Sequence, residues 1–249
     1  MKLSQIINYP LGLLGLKMIR KPVAGTEPLK DIEADKEFQA IYQKVKGFTL
    51  VGPERCYALY QSLKYILAND VSGDLVECGV WKGGSAMLMA YTLLGAGINS
   101  RRIFLYDTFE GMPKPGEKDG EFEKREWERL KLDEQRNNWC LSTVEEVKNN
   151  LGQTGYPKEN IVWIKGKVEE TIPGQLPSQI ALLRLDTDWY ESTKHELLHL
   201  FPLLENKGVL IIDDYGAWQG AKKATDEYFA AHGPVYLNRI DFTGRLLIK

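Results

Sequence analysis

Two apolar runs in this 249-residue chain each end in a pair of acids. "LLRLDTDWYEST" (182–193) places Asp186 and Asp188 just after Leu182, Leu183 and Leu185, with Arg184 the single charge inside the run. "GVLIIDDYG" (208–216) places Asp213 and Asp214 after four aliphatic residues. Carboxylates at the rim of a core lose hydration, so folding alone gives no reason for the pattern. A bound cation does. In an extended chain Asp186 and Asp188 face one side, and three or four carboxylates meeting at adjacent strand ends repel unless a cation joins them. Oxygen ligands with no Cys or His beside them favour Mg²⁺, or else Mn²⁺ or Ca²⁺, over zinc.

Two more stretches carry chemistry. In "ECGVWKGGS" (77–85) Gly79, Gly83 and Gly84 permit a tight turn and close approach of a ligand to the backbone, and Ser85 can cap the helix that follows. It is not a Walker A loop, because Lys82 precedes the paired glycines. Asp107 closes "IFLYD", and an acid at the tip of a second strand accepts the ribose hydroxyls of an adenosine. NAD and S-adenosylmethionine satisfy that reading equally. His195 and His199 have an i, i+4 spacing that can bind a metal, but they follow the acids by about two helical turns, and a structural or surface role is expected of them.

These residues need elements to hold them. "DLVECGV" (74–80), "RIFLYDT" (102–108), "IVWIKG" (161–166), "IALLRLD" (180–186) and "GVLIIDD" (208–214) are continuously apolar, as strands buried on both faces of a parallel sheet must be. Residues 53–70, 84–96, 189–205 and 219–232 read as helices, the last stopped by His232-Gly233-Pro234. The tail segments "PVYLNRI" and "GRLLIK" are separated by Asp241, Phe242 and Thr243 alone. Three residues cannot join parallel strands, so the last strand is antiparallel. The expected fold is α/β: a doubly wound seven-stranded sheet, mostly parallel with an antiparallel last strand. A helical N-terminal extension (1–50) precedes the main domain (51–249), and residues 113–160 form a charged, lid-like insert or a solvated helix. Strands four and five are then neighbours, with their acids at the sheet edge where such folds bind ligands.

Taken together and in this order, "VECGVWKGGS", "YDTFEGMPKP", "LLRLDTDWYEST" and "VLIIDDYG" resemble the macrocin O-methyltransferases, metal-dependent enzymes that use S-adenosylmethionine to methylate sugar hydroxyls of natural products. The resemblance runs from about residue 50 onward and implies a class I methyltransferase (Rossmann-like) fold. It implies that Glu77, Gly79 and Ser85 cradle S-adenosylmethionine and that Asp107 holds its ribose. Asp186, Asp213 and Asp214 would bind Mg²⁺ or another divalent cation, with Asp188 as general base and a small sugar-containing molecule as acceptor. Other readings are open. A glycosyltransferase would use Asp186-Thr187-Asp188 on a metal-bound nucleotide but has no need of the glycine turn. A short-chain dehydrogenase needs a Tyr-x-x-x-Lys pair, and Tyr60 and Lys64 precede the first strand. A non-catalytic S-adenosylmethionine-binding module would have no use for Asp188.

Bulk properties narrow the partners. A net charge of −2 gives no footprint for nucleic acid. Three cysteines, Cys56, Cys78 and Cys140, are odd in number and lack metal-type spacing, which fits a reducing, cytoplasmic setting. No run is long enough to span a membrane. The first 22 residues mix Leu and Ile with basic residues and no acid. Pro10 and Gly12 interrupt the apolar run, against a signal peptide. An arm on the protein's own body or on a second copy, in a homo-oligomer, is preferred over a membrane-surface helix.

Overall fold

The computed structural model describes residues 30–134 and 136–249, so the apolar-basic arm lies outside the described residues. The chain divides into two compact units, Met1–Asp35 and Lys36–Lys249. The described part of the first is a short helix, α1 (Lys30–Ala34). The second unit begins at Lys36 with α2 (Lys36–Val45), which buries Phe38, Ile41 and Val45.

The core of this unit is one seven-stranded sheet. Its strands are β1 (Asp74–Cys78), β2 (Ile103–Asp107), β3 (Ile161–Lys165), β4 (Ile180–Leu185), β5 (Leu204–Ile212), β6 (Asn238–Arg239) and β7 (Arg245–Ile248), in the order β3-β2-β1-β4-β5-β7-β6. β1 to β5 run parallel, and β7 is antiparallel to both β5 and β6. The sheet is therefore doubly wound, mostly parallel, with an antiparallel last strand. That strand lies between β5 and the two-residue β6, so the hairpin's second arm is the one that joins the sheet.

β1, β2 and β4 are buried nearly throughout, the physical meaning of their unbroken apolarity. Val76, Cys78, Leu183, Leu185, Leu210 and Ile212 form one core with Leu197, Leu200, Tyr228 and Phe229. Those last four come from α8 (Tyr190–His199), which follows the one-turn α7 (Val168–Thr171), from α9 (Gln219–His232) and from the turn after α8. Alternate positions, Glu77 and Arg184 among them, face the other way, where α3 (Pro53–Ala68) lies on β4 and β5. The helix expected to run to residue 205 stops at His199. Pro202 cannot continue it, and β5 starts at Leu204.

The long β2–β3 connection resolves into parts. α6 (Val144–Gly152) is the helix that the alternation requires, and it packs on α4 (Gly84–Gly95). α5 (Glu121–Leu130) is charged outward, with Lys124–Glu121 and Arg129–Glu126 pairs. Inward it buries Trp127, whose Nε1 donates to the Met112 carbonyl at 2.9 Å. The Asn137 amide, also buried, donates to the Trp127 carbonyl at 2.7 Å. The segment is neither a free helix nor a loose flap.

Candidate active site

The glycine turn after β1 is shaped first by its neighbours in the protein. Gly79 has φ +84, and a Cβ there would collide with the Asp186 carbonyl oxygen. The Asp186 amide donates to the Cys78 carbonyl at 2.8 Å. The turn of β1 and the acidic end of β4 are thus in backbone contact, which only glycine allows. Ser85 was expected as a helix cap. The cap position belongs instead to Gly83, in a left-handed conformation with no side-chain cap, and Ser85 lies buried in the first turn of α4. There its hydroxyl eases the burial of Glu77.

Asp107 holds this turn to β2. Its Oδ2 accepts from the amides of Val80 at 2.6 Å and Trp81 at 3.2 Å, and its Oδ1 accepts from the Phe109 amide at 2.6 Å. Burial raises its pKa and these amides lower it in part. Oδ2 is filled by two donors; Oδ1 also lies 3.5 Å from the Thr108 hydroxyl, but that group's single proton goes to the Gly111 carbonyl at 2.7 Å, so Oδ1 keeps acceptor capacity for one more.

Arg184, the lone charge in an apolar strand, proves central. It is 2 % exposed, and the parallel register sets it directly beside Glu77. Its Nη1 donates to Glu77 Oε1 at 2.8 Å and to Asp186 Oδ2 at 2.7 Å, and its Nη2 donates to Asp213 Oδ1 at 2.7 Å. Arg55, from α3, pairs with the other oxygen of Asp213 and reaches Asp241 Oδ2 at 3.0 Å. Both oxygens of Asp213 are therefore on guanidinium groups. Glu77 Oε2, by contrast, is buried with no hydrogen-bond partner.

The carboxylates that converge are Asp186, Asp188 and Asp214, each offering an oxygen within 4.8 Å of the others. β4 and β5 have already ended, so the turns rather than the strands aim them. Asp188 has φ +66, and Asp213 and Asp214 follow Ile212, the last residue of β5. Five carboxylates, with Glu77 and Asp213, face two guanidiniums. Burial pushes Asp188 up to about 7, aided by the charges of Asp186 and Asp213. Burial likewise pushes Asp213 up to about 6 and Glu77 up to about 8, and raises Asp214 well above the usual carboxylate range. Such shifts mark a place short of positive charge. Thr187, between the two acids, donates to the fully buried Glu196 at 3.0 Å. Burial holds the Glu196 carboxyl well above its ordinary pKa. His195 Nε2 meets the Ile172 carbonyl at 2.9 Å, outside this group.

The eight site residues that the family resemblance implied all line one cavity of about 330 Å³, within the usual size of a small-molecule site. Residues that the sequence reading did not single out line it too. Arg55 is one. Trp139 and Cys140 come from the insert, and Trp218 precedes α9. Trp139, Trp189 and Trp218 stand edge to face in a triangle, with centroids 5.8, 5.8 and 5.9 Å apart, and Trp218 offers a hydrogen bond to Asp188. The sequence signal for them was weak: single tryptophans in segments with no periodicity. For Arg184 it was plain, an arginine where every neighbour is apolar.

The family model described as macrocin-O-methyltransferase (TylF) matches residues 17–248. A Streptomyces olivaceus protein, 8-demethyl-8-(2,3-dimethoxy-alpha-L-rhamnosyl)-tetracenomycin-C 4'-O-methyltransferase, is 37% identical over 199 residues, covering 79% of this chain and 73% of its own. Demethyldecarbamoylnovobiocin O-methyltransferase of Streptomyces niveus is 35% identical over 182 residues, 73% of this chain and 68% of its own. Among solved structures, the O-methyltransferase NovP superposes with a TM-score of 0.73 at 31% identity, over 81% of this chain and 82% of that one.

Proposed function

Since the chain belongs to the macrocin-O-methyltransferase family and is an O-methyltransferase of sugar or natural-product substrates, we propose that it moves a methyl group from S-adenosylmethionine to a sugar hydroxyl with the help of a divalent cation. The observation that carries the metal is the meeting of Asp186, Asp188 and Asp214 within 4.8 Å in the cavity wall. An oxygen-only donor set of that size suits Mg²⁺. Family membership weighs against glycosyl transfer and against a non-catalytic module.

The residues present fit the methyl donor. Glu77 Oε2, buried and without a partner, suits the ammonium of its amino-acid end, and the spare acceptor capacity of Asp107 Oδ1 suits one ribose hydroxyl. The donor supplies an electrophilic methyl on a sulfonium, whose leaving group departs neutral. What remains for the protein is to place an alcohol oxygen in line and take its proton. A cation held in the cluster supplies Lewis acidity to an oxygen that it touches.

Asp186 and Asp214 belong both to the set that the motifs implied and to the set that the geometry brings together, and they hold the cation. Asp213, implied as a ligand, faces Arg184 and Arg55, whose charges keep this acidic pocket assembled before any cation arrives. Asp188, the third carboxylate of the cluster and hydrogen-bonded by Trp218, takes the proton. Calorimetry with S-adenosylmethionine, and turnover of phenyl α-L-rhamnopyranoside with Mg²⁺ or with EDTA, test the reading. Donor binding and Mg²⁺-restored methylation of the sugar are expected. Full turnover in EDTA would remove the cation from the reaction, and a donor that does not bind would remove the whole assignment.

A further inference from the structure

Two kinds of side chain line the cavity, carboxylates and indoles. Asp186, Asp188 and Asp214 are among the first, Trp139 and Trp218 supply the second. Phe122 of α5 extends the indoles at the surface, beyond the lining. Phe122 is 54% exposed and lies nearly parallel to Trp218, 20° between planes and 6.4 Å between centroids. Burying Phe122 would remove apolar surface from water, yet none of the described residues covers it more fully. Trp139 and Trp218 are each half-buried and line the cavity, so indole surface remains for a ligand. Trp189 is buried behind them, its Nε1 donating to the Pro113 carbonyl at 2.9 Å, and it fixes the other two edge-on.

We propose that Trp139, Trp218 and Phe122 form the platform on which the acceptor's ring lies, an inference that rests on the sugar-methylating reading above. One face of a pyranose presents polarised C–H bonds, which the electron-rich face of an aromatic ring attracts, while its hydroxyls point sideways. A ring lying on Trp218 would turn its edge toward Asp188, to which the same indole offers its N–H. Trp218 is thus a positioning residue for the base and a binding surface for the sugar at once. The acceptor is a glycoside bearing an apolar group for Phe122, its ring on the half-buried faces of Trp139 and Trp218.

The test uses the full chain saturated with S-adenosylhomocysteine and Mg²⁺, with phenyl and methyl α-L-rhamnopyranoside as probes. Saturation-transfer NMR on the phenyl glycoside should show its ring C–H protons against protein aromatics. Trp139→Leu and Phe122→Ala should each raise its Kd at least fivefold, with S-adenosylhomocysteine affinity unchanged within twofold. Trp218→Phe keeps a ring but loses the N–H, so KM should hold while kcat falls at least tenfold. The methyl glycoside, which lacks the apolar group, should bind at least tenfold more weakly than the phenyl glycoside. Phenyl glycoside binding that ignores both Trp139→Leu and Phe122→Ala overturns the platform, and equal or tighter binding of the methyl glycoside overturns the apolar contact at Phe122. If the wild-type protein binds S-adenosylhomocysteine and neither sugar, the sugar-methylating reading itself has failed.

Discussion

Asp188 and Asp214 sit in one cluster, yet removing them should have different costs. Asp188→Asn keeps the shape and cannot take a proton, so kcat should fall by about 10²–10⁴, the usual worth of a positioned base. Asp214→Asn removes a ligand, and its apparent Kd for Mg²⁺ should rise by about tenfold or more. Metal titrations with turnover at saturation separate the two; an Asp188→Asn enzyme with the larger loss of metal affinity would make Asp188 a ligand. Cys140 gives a test of the site's field. Burial pushes its thiol up to about 12, and the charges of Asp188, Asp186 and Asp107 add to the shift. A raised thiol pKa keeps the proton on, so at pH 8 about one part in ten thousand is thiolate, and reactivity appears only as pH approaches 12. Iodoacetamide should leave Cys140 unmodified at pH 8 in the folded enzyme, and mass spectrometry of the native protein would reveal labelling if the pocket were wetter or less acidic. At this scale the sequence was readable where chemistry is local. The acids and the glycine turn declared themselves by type and spacing. The joining of Arg184 to Glu77 and Asp213 did not, because those two partners lie on other segments and only the sheet register brings them together.

Among the elements, α8 carries the acidic loop and is held from outside its own sequence. No side chain of its own N-cap caps it. Asp119 of the insert does so instead, its Oδ1 accepting from the Tyr190 amide at 2.8 Å while Oδ2 accepts from Gly116 at 2.7 Å. A Cβ on Gly220, at the start of α9, would collide with the same carboxylate. One residue thus ties the insert, α8 and α9 together behind the tryptophans. Asp119→Ala should cost about 1 kcal/mol, the worth of a helix cap, and should raise the acceptor KM while donor affinity holds; urea unfolding and calorimetry check the two halves. A variant with weakened donor binding and unchanged acceptor KM would detach the insert from acceptor recognition. The strands and helices of the sheet were legible because burial on two faces leaves long apolar runs. The insert was not, since its charged face dominates its composition while a few residues, Trp127, Asn137 and Asp119, decide where it lies.

For the molecule as a whole, the cavity walls are drawn from Phe48 to Thr243. Deleting residues 1–20 should therefore leave S-adenosylhomocysteine affinity within twofold, whatever it does to self-association. Calorimetry on the truncated protein decides this, and a tenfold weakening would bring the N-terminal arm into the donor site. The sheet's order carries a consequence of another kind. β7, the last strand in chain order, occupies an interior place between β5 and β6. During synthesis every other strand of the sheet, and all the chemistry at its edge, leaves the ribosome before the strand that seals β5. Until then β5 shows a row of unpaired amides and carbonyls, the surface to which stray strands add. The nascent sheet is most prone to sticking at the moment when all its strands but β7 have emerged.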